Sequence, residues 1–273
     1  RSNGDVVAGG VFWTMGGITV QGIAAWDGSA WHGFAGGIST PQPGTQEGVY
    51  GVVELPNSDL IASGNFGRAG GVSVSNIARW DGSVWSPLGS GLNSVGTSLA
   101  VLPTGSLVAG GYFNSAGGSA AYHVATWDGA AWFPLGPGTG TGSSSAYVQA
   151  VTAMPNGDIV AAGNFAAAAG TAASHIARWN GSAWTSLGSG ISGDVWSLAA
   201  LPNGDVVAGG SFTVAGGTSA PCIARWNGVQ WLPFGAGMNN EVDALAVLPI
   251  ILTGGVAVLP RRLTRPARQR AAA

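Results

Sequence analysis

Three side chains of this sequence have the makings of a metal site: His123, His175 and Cys222. Zinc takes imidazole nitrogens and thiolates at about 2.0–2.3 Å. Carboxylates suggest a second chemistry. Asp27, Asp81 and Asp128 each precede a glycine, as do Asn180 and Asn227, while Asp5, Asp59, Asp158 and Asp205 follow Asn-Gly or Asn-Ser. Oxygens of this kind on one face would suit Ca²⁺, which gathers roughly six to eight of them. Paired tryptophans offer a third chemistry, the stacking of sugar rings. Templates for covalent catalysis are missing: the chain has no G-x-S-x-G elbow and no H-x-x-x-H or H-E-x-x-H pair.

Which of these groups can meet depends on the elements that carry them, and a repeat dominates the chain. The pair W-[DN]-G-x-x-W occurs five times, at Trp26/Trp31, Trp80/Trp85, Trp127/Trp132, Trp179/Trp184 and Trp226/Trp231, with intervals of 54, 47, 52 and 47 residues. An [LM]-P landmark falls at Leu55-Pro56, Leu102-Pro103, Met154-Pro155, Leu201-Pro202 and Leu248-Pro249. A third landmark, [VLI]-[VI]-A-[GSA]-G-x-F, begins at Val6, Leu60, Leu107, Ile159 and Val206.

Each unit divides into four short strands, A to D. In the fourth complete unit, A covers 195–201, Pro202-Asn203-Gly204 turns the chain, and B covers 205–210. A Gly-rich loop leads to C at 222–226, and Asn227-Gly228 makes the turn into D at 230–234. Asn-Gly supplies the positive φ angles of a tight hairpin. No segment holds a helical period, and glycine interrupts every window.

Four-stranded units of this length bury both faces by stacking into a ring. The expected fold class is therefore all-β, a five-bladed β-propeller of four-stranded antiparallel blades. The blades span approximately 3–35 plus 242–249, 49–89, 96–136, 148–188 and 195–235. Residues 1–249 form the propeller, and 250–273 form an irregular basic tail, whose start could also be read as a shortened strand B. The B-C-D sets and the A strands are out of phase. Strand 242–248 is therefore expected to pair with the N-terminal blade and close the ring, leaving no open edge, with a larger ring built from a longer parent chain as the alternative.

The order A, Asn-Gly turn, B ending in Gly-Gly, C, turn and D with Trp resembles the kelch repeat, carried here by Gly209-Gly210, Trp226 and Trp231. It is more closely similar to the Gly/Trp-rich propeller repeats of bacterial hypothetical proteins and fungal cortical polarity markers. These share A-G-G-x-F…A-G-G…I-A-x-W-[DN]-G…W-x-x-L-G, and the resemblance covers residues 1–249. It implies a propeller with strand A innermost and no particular activity, because propellers host many functions. Kelch repeats have Tyr where these units have the first Trp, and their Arg near strand A is missing, so a binding mode built on that Arg does not transfer. A kelch-like copper-radical oxidase needs a Tyr–Cys crosslink and two His ligands. Cys222, with Tyr50, Tyr112, Tyr122 or Tyr147, keeps it as a second alternative, although Cys222 sits at an outer-strand position.

This architecture reweighs the chemistry. His123, His175 and Cys222 occupy one repeat position before strand C, where Asn76 stands in the preceding unit. With strands about 4.8 Å apart, third-strand positions of neighbouring blades lie on the order of 15 Å apart and cannot share an ion. Asp and Asn at turns bond the backbone two residues on, and their interchange argues against a required charge. Trp pairs at one spacing fit a structural role, worth about 0.2–1 kcal/mol per cross-strand pair. No metal and no cofactor are expected.

Variation against the repeat is more informative. The second position of strand A reads Tyr50, Thr97, Gln149, Trp196 and Asp243 among small or apolar neighbours. The D–A loops at 36–48 and 136–147 are long, and that at 188–194 is short. Variable polar and aromatic residues at a mouth are what a ligand site requires. The expected function is a non-enzymatic binding or interaction scaffold. It would use the B–C/D–A loop face and central mouth for a protein or carbohydrate, with an extracellular spacer as the alternative.

Charge bears on the partner. Residues 1–249 hold all 12 acids and five of the ten arginines, so the body carries −7 and has no basic face for nucleic acid. No apolar run is long enough for a membrane span. The Gly/Ser/Thr-rich, lysine-free composition and an opening at Arg1 suggest a trimmed product that is secreted or displayed at the cell surface.

Overall fold

The computed structural model describes residues 1–39, 48–140 and 145–247, and the backbone of 256–258. Every regular element among them is a strand. The first blade holds β1 (Val6–Gly9), β2 (Ile23–Trp26) and β3 (Trp31–Gly33), in that order. The second holds β4 (Gly48–Glu54), β5 (Leu60–Asn65), β6 (Ile77–Trp80) and β7 (Trp85–Pro87). The third holds β8 (Gly96–Val101), β9 (Leu107–Gly111), β10 (Val124–Trp127) and β11 (Trp132–Pro134). The fourth holds β12 (Tyr147–Ala153), β13 (Ile159–Asn164), β14 (Ile176–Trp179) and β15 (Trp184–Ser186). The fifth holds β16 (Val195–Ala200), β17 (Val206–Gly210), β18 (Ile223–Trp226) and β19 (Trp231–Pro233). All pairings within blades are antiparallel, and these units are β-propeller blades.

Successive blades touch through their A strands, β4 with β8, β8 with β12 and β12 with β16. The B strands lie between two neighbouring sheets, and Leu107–Gly111 and Val206–Gly210 are buried along their whole length. Burial on both faces is why these strands read as an unbroken run of valine, alanine and glycine rather than an alternation. The Gly-rich B–C segment folds into a small hairpin of its own. Val214–Ala215 pairs with Thr218–Ser219 across Gly216 and Gly217, whose φ angles are 60° and 81°. Glycine adopts that backbone without a Cβ clash.

One joint fastens each blade to the next, built from the same three contacts each time. The second Trp of a blade donates its Nε1–H to the carbonyl at the end of the preceding strand D. Trp85 reaches Phe34 at 3.2 Å, Trp132 reaches Leu88 at 2.9 Å, Trp184 reaches Leu135 at 2.8 Å and Trp231 reaches Leu187 at 2.8 Å. Just beyond, Ile38, Leu92, Thr139 and Ile191 form antiparallel bridges to Ala69, Ala116, Ala168 and Ala215 of the following blade. Finally, the N–H groups of Gly70, Gly117, Ala169 and Gly216 donate to Gly37, Gly91, Gly138 and Gly190 at 2.8–2.9 Å. Apolar clusters fill the joints, as where Leu187 and Ile191 of one blade pack with Phe212 and Trp231 of the next.

The C-terminal pairing differs from the sequence-based expectation, in which strand 242–248 lies beside the N-terminal blade. Instead β20 (Leu245–Val247) pairs antiparallel with β21 (Val256–Val258), inside the segment expected to be an irregular tail. β20 follows β16 as the next A strand, and β1 pairs with β2 alone among the described residues. A nearby strand closes a short loop at a smaller cost in chain entropy than a partner at the far end of the chain.

Candidate functional site

The variable residues chosen from sequence share one structural position. In the second to fifth blades the A–B pairing slips once, between Val49 and Gly51, Gly96 and Ser98, Val148 and Ala150, and Val195 and Ser197. The residues skipped are Tyr50, Thr97, Gln149 and Trp196. Each is the extra residue of a β-bulge, a device that frees a side chain from the ladder and re-aims it. Asp243 holds the corresponding place two residues before β20. The bulge explains the second glycine of the A-G-G motif. A Cβ on Gly64, Gly111, Gly163 or Gly210 would strike the carbonyl oxygen of Gly48, Val95, Tyr147 or Asp194, where the bulged strand leans in.

These residues do not offer equal chemistry. Tyr50 is 45% exposed. Gln149, Trp196 and Asp243 are half-buried. The Thr97 hydroxyl is engaged by backbone carbonyls, Val148 O at 2.6 Å and Gly110 O at 3.1 Å, so it ties two blades together. Ser98 and Ser197 act similarly, accepting from the backbone N–H of Val151 at 3.1 Å and of Leu245 at 2.8 Å in the next A strand.

A second group on this side was missed by sequence reasoning. Tyr112, at the end of β9, stacks on Tyr147, at the start of β12, with ring centroids 4.5 Å apart and planes 18° from parallel. Burial raises both phenols above their usual 10.0, and the negative charge of Asp194 raises them further. Asp194 begins the next blade, so three successive blades converge here. The signal lay in the x of G-G-x-F, which varies as Val11, Asn65, Tyr112, Asn164 and Ser211.

Charge is sorted between the two ends of the blades. At the A–B turns, Arg79, Arg178 and Arg225 reach from strand C to Asp59, Asp158 and Asp205. Nε lies 2.6 Å from the carboxylate in the Arg79 pair and 2.9 Å in the Arg225 pair. Those aspartates are buried, and each also receives an amide N–H from Asn57, Asn156 or Asn203. They are thus structural ion-pair partners as well as turn residues. Asp194, Glu241 and Asp243 lie at the opposite, D–A end.

His123, His175 and Cys222 share one constrained backbone position with Asn76. Asn76, His123, His175 and Cys222 all have left-handed φ angles, between 59° and 67°. Asn76 Nδ2 donates to Leu92 O at 3.0 Å, and His175 Nδ1 lies 2.8 Å from Ile191 O, so in these two blades the position ties the B–C loop to the following D–A loop, whereas the buried His123 Nδ1 has no such partner among the described residues. Burial lowers the pKa of His123, favouring neutral imidazole, and raises that of Cys222, with Glu241 adding to the rise. A left-handed residue with a Cβ costs about 1–2 kcal/mol, and asparagine tolerates that region best after glycine. Cys222→Asn is expected to stabilise the fold by about 1 kcal/mol. An unchanged or lower urea midpoint would show the strain to be absent.

The C–D turns carry the Asx geometry expected of them. Asp128 Oδ1 accepts from the N–H groups of Ala130 and Ala131 at 2.8 Å, and Asn180 and Asn227 make the same pair of bonds in their own turns. The second Trp of each of the last four pairs is covered in a joint: Trp85, Trp132, Trp184 and Trp231 are only 4–7% exposed. Three of the [LM]-P landmarks line an open apolar cavity of about 320 Å³ at the A–B end, between Leu102, Met154, Leu201 and Val247. It lies at the end of strand A opposite the bulges.

A family model described as "Domain of unknown function (DUF5122) beta-propeller" matches residues 201–228. No curated protein matches the chain. Among solved structures, YCF48 bound to D1 peptide is 19% identical, with 78% of this chain and 61% of that chain covered and a TM-score of 0.42. U3-55K is 15% identical, with 74% and 56% covered and a TM-score of 0.48. PorZ, a surface component of the type-IX secretion system of Porphyromonas gingivalis, is 17% identical, with 75% and 28% covered and a TM-score of 0.41. The chain thus spans less than two thirds of each of these structures. No described helix is long and apolar enough to cross a membrane.

Proposed function

We infer that this chain is a non-enzymatic binding scaffold, a kelch-like arrangement of five blades that presents its D–A mouth to a protein or glycan outside the cell. One observation carries this inference: the side chain that varies most along the repeat is the one that a bulge lifts out of the ladder in each of four blades. The surrounding positions keep their small or apolar character, so the scaffold is held constant while the presented group changes. The tyrosine stack and the acidic residues on the same side add flat apolar surface and hydrogen-bonding capacity, which suit a sugar or a polar peptide. The lysine-free composition fits an exported protein.

Glycan-array and pull-down screens with the whole chain test this function. A ligand found there is expected to bind at least tenfold more weakly to Trp196→Ala and to Tyr50→Ala. Undiminished binding by both variants places the site elsewhere, and the apolar A–B cavity becomes the next candidate. Broad screens without any ligand favour a spacer.

A further inference from the structure

Where two blades meet at the D–A end, the residue after Gly-Gly in one blade faces the residue that opens strand A of the next. At the first seam the pair is Val11 and Gly48, with a Val11 methyl 2.6 Å from where a Cβ of Gly48 would be. The equivalent residues elsewhere are Asn65 and Val95, Tyr112 and Tyr147, Asn164 and Asp194, and Ser211 and Glu241. Only the seam between the third and fourth blades places two phenols together.

Both phenols rise from fixed backbone. The Tyr112 N–H donates to Val95 O at 2.9 Å, and Tyr147 pairs with Asn164 in the A–B ladder. The rings stack at 4.5 Å, with their planes 18° apart, and the Tyr147 hydroxyl donates to that of Tyr112. Nearly parallel rings joined at their hydroxyls bring the ortho carbons beside those hydroxyls face to face. Tyr112 is 45% exposed, so an oxidant reaches the pair and the ring has room to tilt off the stack.

The other fittings of this same joint are its poorest. Thr139 stands where Ile38, Leu92 and Ile191 supply apolar side chains, and its buried hydroxyl has no partner among the described residues. A buried hydroxyl without a partner is destabilising. Ala169 replaces Gly70, Gly117 and Gly216 and holds a φ of 48°, a backbone that disfavours any residue with a Cβ. The buried Nδ1 of His123, on the third blade, is likewise unpartnered among the described residues.

We propose that Tyr112 and Tyr147 form an oxidative crosslinking site, which hydrogen peroxide and a haem peroxidase convert to dityrosine, fastening the third blade to the fourth. Each phenol gives up one electron and its hydroxyl proton. The two phenoxyl radicals join through one ortho carbon of each ring, and each ring regains aromaticity as the hydrogen on that carbon passes to its oxygen. One peroxide takes up the two electrons and two protons and leaves as two waters. The new bond closes the chain between the two tyrosines into a loop, which removes freedom from the unfolded state. None of this requires a ligand at the mouth.

The whole chain treated with a haem peroxidase and hydrogen peroxide tests the site. Dityrosine fluorescence is expected to appear while the intact mass falls by two hydrogens and the chain stays monomeric in denaturant. Peptide mapping is expected to find Tyr112 bonded to Tyr147. Tyr112→Phe and Tyr147→Phe each keep the ring and should each abolish that product. The oxidised chain should unfold at a higher urea concentration than the untreated chain, with no such shift in Tyr112→Phe. A chain left uncoupled under conditions that couple free tyrosine in a parallel reaction would overturn the proposal. So would coupling through the comparably exposed Tyr50 or Tyr122, or between chains, in place of the Tyr112–Tyr147 bond. A crosslinked chain with an unmoved urea midpoint would overturn the fastening role.

Discussion

Trp184→Ala is expected to lower stability by about 4 kcal/mol, because it empties a large buried volume and strips the partner from a buried carbonyl. Trp184 is 4% exposed, and its Nε1–H donates to Leu135 O at 2.8 Å across the third joint. In a chain of this length that loss corresponds to a fall in Tm of about 10 °C. Trp184→Phe retains most of the packing and forfeits the hydrogen bond, so about 1–2 kcal/mol is expected. Trp31→Ala is the internal control. That indole is half-buried and its Nε1–H meets no carbonyl among the described residues, so its truncation should cost clearly less. Equal losses for Trp184→Ala and Trp31→Ala would mean that the tryptophans act only within their own hairpins.

Gly163→Ala is expected to cost about 3 kcal/mol or more, at the upper end of the range for overpacking. Its Cβ would strike Tyr147 O and come within 2.7 Å of Gln149 N. Both are backbone atoms of the bulge, so no side-chain rotation relieves the clash. Gly163 has no positive φ, which makes the penalty steric rather than conformational. Gly157→Ala separates the two effects. Gly157 has φ 90° and nothing near its Cβ, so roughly 1–2 kcal/mol is expected from the backbone alone. Chemical denaturation of the two variants gives the comparison. A Gly163→Ala loss no larger than that of Gly157→Ala would show that the bulge yields freely, and the constant frame claimed for the mouth would fail with it.

The blade repeat is legible in sequence because its signals are local. Two tryptophans flank a two-residue turn, Asn-Gly marks a hairpin, and an unbroken apolar run marks a strand covered on both faces. The observed Ile223–Trp226 and Trp231–Pro233 accordingly fall within the intervals drawn at 222–226 and 230–234. Three features escaped for physical reasons. A bulge depends on how one strand lies against its neighbour, and its traces in sequence are the second glycine of the A-G-G motif and the variability at Tyr50, Thr97, Gln149 and Trp196. The Arg–Asp pairs join strand C to the A–B turn. Their clue was co-occurrence: Asp59, Asp158 and Asp205 come with Arg79, Arg178 and Arg225, while the third blade has Ser106 and Thr126. The partner of 245–247 is not legible in sequence, because β1 and 256–258 are both short, apolar and valine-rich, and pattern alone does not rank them.

The joint reaches mainly for main-chain oxygens and amides that every unit possesses, so it is indifferent to which unit comes next. Duplicating or deleting a whole repeat in the gene would leave each new boundary with a ready-made seam. Array length is therefore free to drift between relatives while the lifted residue of each unit diversifies on its own. Mutation can alter how many positions the surface offers, and what each one displays, as two separate variables.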